Sequence, residues 1–365
     1  MARERLARAG FRLMAGFDGH VASDHAKRLI RDFKVQSFIL FKRNVDTPAQ
    51  VAELVRELQT LALQAGYSRP LLIAIDQEGG RVQRLREPWT VWPPVRRLGE
   101  MGSEDLARRM AQAIAAELKA CGIALDFAPV LDVDTNPNNP VIGDRSLGRH
   151  PEQVGKLGVA FIEGLQGAGV AACAKHFPGH GDTDQDSHLS LPVVEHSLAR
   201  LCEVELRPFK MAIAAKVATI MTAHILVREL DEKVPATLSS RVVSRLLRDE
   251  LGYRGVVVAD DLEMKAVSVN WPYAISAVLA ANAGCDILPV CEHEEAQVAV
   301  IEALVKGEES GDLRKRDIDD ALLRIEAMID RYAVPYVEPS AKTAAAAAGR
   351  TEARLLAAEI AGVPS

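Results

Sequence analysis

Short, continuously apolar runs recur along the chain, and Gly, Asp or Asn residues bound them. Continuous apolarity, rather than alternation of apolar and polar positions, is typical of strands that are covered on both faces, as in parallel sheets. The runs occupy residues 11–19, 37–44, 71–80, 124–134, 170–177, 217–224, 255–261 and 285–290. We therefore predict eight buried strands.

Amphipathic helical patterns separate these runs. The clearest spans residues 47–65, where Thr47, Pro48 and Gln50 give a capping-box start. An apolar stripe follows at Val51, Leu54, Val55, Leu58 and Leu61, and Gly66 supplies the stop. Further helices are predicted to begin near Asp24, Ser103, Pro151, Ser197, Ser239, Tyr273 and Glu292. Strand and helix thus alternate through eight units, which favours a (β/α)₈ barrel of the TIM type.

The pattern predicts a single catalytic domain over residues 1–333, ending in a helix at 317–332, and then a linker and an alanine-rich helical tail at 334–365. We expect Leu355, Leu356 and Ile360 to dock the tail on the barrel wall; a frayed terminus is the alternative. A doubly wound open sheet shares the βα alternation. The chain lacks the glycine-rich phosphate-binding motifs expected after the first strand of that fold, which favours the barrel.

The composition of the chain argues against several classes of partner and location. The chain has 365 residues, 48% of them hydrophobic and 26% charged, with a formal net charge of −6. A net negative chain has no broad positive field, so we expect no nucleic-acid partner. Its five cysteines are odd in number and scattered, which favours a reducing cytoplasm over a disulfide framework. No stretch reaches the roughly 18 apolar residues of a membrane span, so we expect no membrane insertion, and we expect a monomer.

Polar side chains interrupt the apolar runs at their C-terminal ends. In a parallel barrel these ends converge on one mouth, where active sites lie. Any one of them taken alone could be a helix cap or a satisfied loop residue. The residues are Asp18, Arg43, Asp76, Lys175, His176, His224, Asp260 and Asp261.

The segment KHFPGHGDTDQDSH at residues 175–188 follows the fifth run and must be a loop, because it contains Pro178, Gly179 and Gly181. Its histidines invite a metal interpretation, but no helix can present a histidine pair across Pro-Gly, and we expect neither metal nor cofactor. Asp186 can instead accept a hydrogen bond from one ring nitrogen of His188. That pairing orients the imidazole for proton transfer near neutral pH.

The same segment resembles the signature of the β-N-acetylglucosaminidases of glycoside hydrolase family 3. The resemblance extends over most of residues 10–330. It is carried, in order, by FILFKRN at 38–44, IDQEGGRVQR at 75–84, NPVIGDRSL at 139–147 and VVADDLEM at 257–264. Ala259 replaces the usual Ser or Thr, and Leu147 a common Phe, but neither change removes a reacting group.

The resemblance implies roles for particular residues. Asp260 corresponds to the nucleophile, and His188 to the acid/base, held by Asp186. The positions that grip hydroxyls of the terminal sugar are Asp76, Arg84, Arg145, Lys175 and His176. The implied activity is exo-acting, retaining hydrolysis of terminal β-1,4-linked N-acetylglucosamine through a covalent glycosyl-aspartate. The implied substrates are small carbohydrates, above all muropeptides in cytoplasmic peptidoglycan recycling.

Several alternatives stay open. Within the family the substrate could be a chito-oligosaccharide, the acceptor could be phosphate instead of water, or the substrate's acetamido group could attack with Asp260 and Asp261 assisting. A metal-dependent amidohydrolase would need His-x-His after the first strand, where the chain has Asp18-Gly19-His20. An inactive sugar-binding barrel is disfavoured by the intact Asp186, His188 and Asp260. For His224 a structural or pocket-lining role is expected rather than catalysis.

Overall fold

Eight parallel strands form a closed ring in the computed structural model, which describes residues 2–187 and 190–363. They are β1 (Leu13–Ala15), β2 (Ser37–Leu40), β3 (Leu72–Ile75), β4 (Leu125–Asp126), β5 (Ala171–Phe177), β6 (Thr219–Thr222), β7 (Val256–Val258) and β8 (Leu288–Val290). Each strand pairs with its successor from β1 to β7, and β8 pairs with β1. A bridge between Val258 and Ile287, beside β8, closes the ring.

Helices surround the strands. They are α1 (Ala2–Arg12), α2 (Asp24–Arg31), α3 (Pro48–Gln64), α4 (Arg96–Met101), α5 (Glu104–Ala120), α6 (Pro151–Gly167), α7 (Leu198–Glu203), α8 (Leu206–Ala214), α9 (Lys265–Ser268), α10 (Tyr273–Ala283), α11 (Glu294–Ser310), α12 (Lys315–Tyr332), α13 (Ala341–Ala347) and α14 (Thr351–Ala361). A π-helix, Arg241–Glu250, follows β6. The predicted (β/α)₈ barrel is confirmed, and each strand lies within its predicted run.

Short elements complete the loops. Short 3₁₀ turns occur at Lys42–Asn44, Gly143–Arg145 and Ala236–Leu238. Gln77–Gly79 and Val82–Gln83 form a small antiparallel hairpin after β3, and Val193–Val194 pairs with Leu226–Val227. These elements lie in the connections that follow the C-terminal ends of strands, where barrel enzymes build their sites.

The strands are buried on both faces, as their continuous apolarity predicts. One set of strand residues, including Leu13, Phe38 and Ile73, packs with the surrounding helices. The alternate set, including Met14, Leu72 and Val256, forms a separate cluster inside the barrel. Ile325, Met328 and Ile329 of α12 belong to this inner cluster, so α12 closes the base of the barrel.

Local capping explains where α3 begins. The Oγ1 atom of Thr47 accepts a hydrogen bond from the Gln50 backbone at 3.2 Å, as the sequence predicts. The Gln50 side chain accepts from Asp46 N rather than from Thr47 N, so the reciprocal half of the predicted capping box is displaced by one residue. The predicted apolar stripe of α3 is buried throughout.

The tail packs against the barrel wall. Helix α13 contacts α3 and α5, and α14 contacts α4 and α5. Leu356 and Ile360 are buried, whereas Leu355, which we expected to dock, is 58% exposed. Within residues 2–187 and 190–363, no helix has the length and apolarity to cross a bilayer.

Candidate active site

A pocket of about 270 Å³ opens at the C-terminal ends of the barrel strands. It brings together side chains that are remote in the sequence, because parallel strands end at the same mouth. Six of the predicted site residues line it, namely Asp76, Arg84, Arg145, Lys175, His176 and Asp260. Asp186 is half-buried and does not line the pocket, but its neighbour Ser187 does. His188 lies outside the described residues.

Different connections position these side chains. Asp76 directly follows β3, and Arg84 follows the Gln77–Gly79 and Val82–Gln83 hairpin. Arg145 ends the 3₁₀ turn Gly143–Arg145. Lys175 and His176 are consecutive in β5, the peptide bond between them is cis, and both line the pocket. Asp260 follows β7 after Ala259, so four strands supply the residues at this mouth.

An ion-pair network forms one wall of the pocket. Lys175 Nζ lies 2.9 Å from Asp76 Oδ1 and 2.7 Å from Glu78 Oε1. Arg84 Nη2 donates to Asp76 Oδ2 at 3.1 Å. Arg145 forms a bidentate pair with Glu78, with both N–O distances 2.8 Å. Three cations therefore face two carboxylates, which leaves one net positive charge on this wall.

The charges hold each other ionised. Burial alone would raise the pKa of Asp76, but the attraction of Lys175 and Arg84 outweighs it and places that pKa well below the usual range. Burial alone would also raise the pKa of Glu78, but the attraction of Arg145 and Lys175 outweighs it and lowers that pKa to about 2. Burial opposes the charge on Lys175 as well, yet Asp76 and Glu78 raise its pKa. All three groups are therefore charged at neutral pH.

Asp126 behaves differently. It lies on β4 and is fully buried, with its Oδ1 accepting a hydrogen bond from Gln77 N at 2.9 Å. Burial raises its pKa well above the usual value, since the Gln77 bond and Lys175 compensate only in part. Burial therefore favours the neutral form of this carboxyl group, which lies next to a network of charges.

Asp132 organises the histidines of the fifth loop. Its Oδ2 lies 2.7 Å from His176 Nδ1, and its Oδ1 accepts from His180 N at 2.6 Å. Asp132 is fully buried; burial would raise its pKa, but His176 and His180 lower it. The contact at Nδ1 fixes the orientation of the His176 ring, and His176 lines the pocket.

The His180 ring contacts two other residues of the loop that precedes residue 188. Its Nδ1 lies 2.6 Å from Thr183 Oγ1, and its Nε2 lies 3.0 Å from Ser187 Oγ. Because the Thr183 hydroxyl donates to His180 O, we assign the ring proton to Nδ1, and Nε2 then accepts from Ser187. Burial, only partly opposed by Asp132, lowers the pKa of His180 to about 4, so the ring is neutral at pH 7.

The segment around Asp260 is held through its backbone. Asp261 N donates to Asp260 Oδ1 at 2.9 Å, which stabilises the carboxylate form. His224 Nε2 lies 2.9 Å from Asp261 O and Nδ1 lies 2.8 Å from Thr237 Oγ1. His224 is buried and does not line the pocket, so its observed contacts are structural. Burial, with the charges of Glu263 and Asp260, raises the pKa of Asp261 to about 7.

The outer strand-end residues pair with each other. Arg43 Nε lies 2.7 Å from Asp18 Oδ1, and Arg43 Nη1 lies 2.9 Å from Glu292 Oε1. Neither Asp18 nor Arg43 lines the pocket. Asp18 and Arg43 lie at strand ends, as predicted, but their ion pairs link loops to each other instead of contributing to the pocket.

Three buried carboxylates at the mouth were not singled out from the sequence: Glu78, Asp126 and Asp132. Signals for two of them exist. Glu78 lies two positions after Asp76 in an extended segment, where alternate residues share a side. Asp132 lies two residues before the end of the fourth apolar run, 124–134, so it too is a polar residue close to a C-terminal strand end. Asp126 lies inside an apolar run, and only the fold reveals its neighbours.

Within the part of the chain that the structure describes, no three His, Cys, Asp or Glu side chains form a group that could hold a metal ion. The rings of His176 and His180 meet edge to face, with centroids 6.1 Å apart. Their nitrogens contact Asp132, Thr183 and Ser187 as described above. The arrangement offers carboxylates, cations and an oriented imidazole around one small pocket.

Comparisons with known proteins agree with this arrangement. The family model for the glycosyl hydrolase family 3 N-terminal domain matches residues 10–328. A beta-hexosaminidase from Thiobacillus denitrificans is 40% identical over 289 residues, which cover 78% of this chain and 79% of that protein.

Solved structures give the same result. A glycoside hydrolase family 3 beta-N-acetylglucosaminidase from Paenibacillus sp. str. FPU-7 superposes with a TM-score of 0.92 at 44% identity, covering 97% of this chain and 67% of that one. NagZ from Neisseria gonorrhoeae, solved with N-trifluoroacetyl-D-glucosamine, superposes with a TM-score of 0.79 at 32% identity, covering 97% of this chain and 98% of its own. The chain therefore belongs to glycosyl hydrolase family 3 and is a glycoside hydrolase.

Proposed function

We propose that the chain is an exo-acting, retaining β-N-acetylglucosaminidase that releases terminal β-1,4-linked N-acetylglucosamine. The observation that carries the proposal is the meeting of Asp260 with the Asp76, Arg84, Arg145, Lys175 and His176 side chains in one pocket, in a chain similar to proteins named beta-hexosaminidase. The pocket, about 270 Å³, lies just below the roughly 300–1,000 Å³ of sites for drug-sized ligands. A space of that size favours one terminal sugar ring over an internal stretch of a polymer.

The ion-pair wall would bind the sugar hydroxyls. Asp76 can accept hydrogen bonds, while Arg84, Arg145 and Lys175 can donate them, and charged partners make such bonds stronger than neutral ones. Because the network fixes these groups before substrate arrives, binding need not order them first. His176, oriented by Asp132, would add a contact on the neighbouring side of the ring.

Asp260 would act as the nucleophile. Its carboxylate attacks the anomeric carbon, the bond to the departing oxygen breaks, and a glycosyl ester forms on Asp260 through an oxocarbenium-like transition state. Water then attacks the same carbon and releases the sugar with net retention. The Asp261 N–H on Oδ1 holds the carboxylate plane in place during both steps.

The proton donor would be His188, held by Asp186. His188 lies outside the described residues, so support comes from its flanks: Ser187 lines the pocket and is fastened by His180. An imidazole there would give a proton to the departing oxygen and later take one from the attacking water. A loop that carries the donor could also close over bound sugar and exclude water.

We further propose that the natural substrates are muropeptides and that the enzyme works in cytoplasmic peptidoglycan recycling. All five cysteines are free, which suits a reducing compartment. Turnover of a muropeptide disaccharide should exceed that of chitobiose, and the reverse order would assign the enzyme to chito-oligosaccharides. Retention of the same rate and product with and without phosphate would exclude a phosphorylase.

Leaving-group dependence tests the assigned roles. Asp260→Ala should abolish turnover of aryl β-N-acetylglucosaminides whatever the leaving group. His188→Ala should spare substrates with acidic phenol leaving groups, since these scarcely need protonation, and should impair those with poor ones. Equal losses on both substrate classes in His188→Ala would contradict its role, and wild-type preference for aryl β-glucosides would contradict the acetamido specificity.

A further inference from the structure

Glu78 is a buried carboxylate that does not itself line the pocket. Its residue is 2% exposed, and it lies in the short strand Gln77–Gly79 directly after Asp76 and β3. A carboxylate removed from water is costly unless cations and hydrogen bonds compensate it. Here Arg145 and Lys175 supply that compensation at 2.7–2.8 Å.

The partners of Glu78 are pocket residues. Arg145 and Lys175 both line the pocket, so Glu78 contacts the site from behind through two cations. Arg145 donates Nε and Nη2 to Glu78 and Nη1 to Val141 O at 3.2 Å. Three of its five N–H groups are thereby used within the protein, and two are left for a ligand.

The same count applies to Lys175. Its ammonium has three N–H groups, of which two have acceptors in Asp76 Oδ1 and Glu78 Oε1. One N–H is left to meet a sugar hydroxyl. Removing Glu78 would free that ammonium to turn, so the direction of the remaining donor depends on both carboxylates.

The charge of Glu78 also balances the cations of the wall. With Glu78 the wall has three cations and two carboxylates; without it, three cations would face Asp76 alone. Arg145 and Lys175 repel each other, and both are nearly buried, with 10% and 3% of their side chains exposed. Like charges in such a setting separate or lose a proton unless a carboxylate stands between them.

We propose that Glu78 is a positioning residue of the sugar site, which holds Arg145 and Lys175 at the spacing and angle that the hydroxyls of the terminal N-acetylglucosamine require. The proposal rests on the proposed function. It explains why a side chain without access to substrate is kept charged beside two substrate-facing cations.

Glu78→Gln tests the proposal, because glutamine keeps the size and loses the charge. On an aryl β-N-acetylglucosaminide with a good leaving group, KM should rise on the order of ten- to a hundredfold while kcat falls much less. The alkaline limb of kcat/KM should also move to lower pH. Burial opposes the charge on Lys175, and the variant leaves Asp76 as its only carboxylate partner.

Asp286→Asn is the matched control. Asp286 is 1% exposed and pairs with Arg248 and Arg324 at the opposite end of the barrel, so the same chemical change occurs far from the pocket. It should lower the melting temperature but leave KM and the alkaline limb at their wild-type values. Equal kinetic effects in both variants would reduce Glu78 to a structural role and overturn the proposal.

If Glu78→Gln does not fold, Glu78→Asp is the second variant that tests the positioning role. It keeps the charge with a shorter reach, so KM should rise while the alkaline limb stays near that of the wild type. Wild-type KM in a folded variant at this position would overturn the proposal. Failure of the wild type to cleave the aryl β-N-acetylglucosaminide would instead overturn the proposed function, and is recognised before any variant is compared.

Discussion

Asp261 stands beside the proposed nucleophile with a pKa near 7, raised by burial and by Glu263 and Asp260. An aspartate in an unfolded chain titrates near pH ~4. Between these values the folded protein retains a proton that the unfolded chain has lost. The free energy of unfolding must therefore fall, through this group, as the pH rises from about 4 to about 7, and the penalty persists above that range.

Asp261→Asn should remove this pH dependence. The amide keeps the shape, an acceptor for Glu263 N and the backbone donor to Asp260. The variant should gain stability over the wild type progressively from pH 4 to pH 7, measured by denaturant unfolding at several pH values. Asp46→Asn, at an exposed position, is the control. Parallel stability curves for wild type and Asp261→Asn would contradict the prediction.

Some residues of the site could be predicted from the sequence alone, and others could not. Asp76 and Lys175 were predictable, because polar residues end several of the apolar strands and the ends of parallel barrel strands converge on one mouth. Glu78 and Asp132 carried weaker forms of the same signal, but their importance depends on which cation or imidazole lies opposite. Those partners are 67 and 44 residues away in the cases of Arg145 and His176, and pairings across such separations follow from the ring of strands.

The loop after β5 illustrates the element scale. Its glycines and proline predict a loop, but the loop is held by His180, whose backbone N–H donates to Asp132 and whose ring contacts Ser187. Ser187 is 2% exposed, one residue before the proposed donor. Asp182 and Thr183 of the same loop contact Thr135, Asn139 and His196, and local sequence patterns do not encode these contacts.

Ser187→Ala should disturb proton donation more than sugar binding. Loss of the bond to His180 loosens the chain that carries His188, so kcat should fall several-fold for poor leaving groups and little for acidic phenols. Steady-state kinetics with a series of aryl leaving groups measures this. Ser190→Ala removes an exposed hydroxyl that bonds Gln185 in the same loop and should leave the series unchanged. A uniform fall across the series in Ser187→Ala would refute the prediction.

The C-terminal tail also belongs to the element scale, because its contacts bind it to the rest of the barrel. Glu117 of α5 accepts hydrogen bonds from Gly349 N at 2.8 Å and Thr90 N at 3.0 Å, which ties the tail to the segment before α4. Arg354 of α14 pairs with Glu87 at 3.0 Å in the same segment. The sequence predicted a docking helix but misassigned Leu355, since an apolar residue on a short helix does not reveal which neighbour it faces.

Leu356→Ala should lower the free energy of unfolding by about 2–4 kcal/mol, because it leaves a cavity under α14. Leu355→Ala, at a position 58% exposed on the same helix, should change it by less than about 0.5 kcal/mol. Chemical denaturation of both variants measures the difference. Similar values for the two would show that α14 does not pack as described.

On the scale of the whole molecule, the barrel explains why distant segments act together. Strands β3, β4, β5 and β7 end at one mouth. They and the connections after them bring together the residues of one pocket, namely Asp76, Arg84, Arg145, Lys175, His176 and Asp260. The alternation of apolar runs and helical patterns, together with the family resemblance, predicted this architecture. The size of the pocket, the buried network behind it and the path of the tail could not be predicted from the sequence, because each depends on contacts between loops.

The central claim is that Asp260 attacks the anomeric carbon. The most direct measurement is to incubate the enzyme with a fluorinated aryl β-N-acetylglucosaminide that forms its ester faster than it releases sugar, and to locate the adduct by peptide mass spectrometry. We predict one sugar per chain, attached at Asp260 and absent in Asp260→Ala. Turnover without any adduct, or an adduct attached at Asp261, would contradict the account.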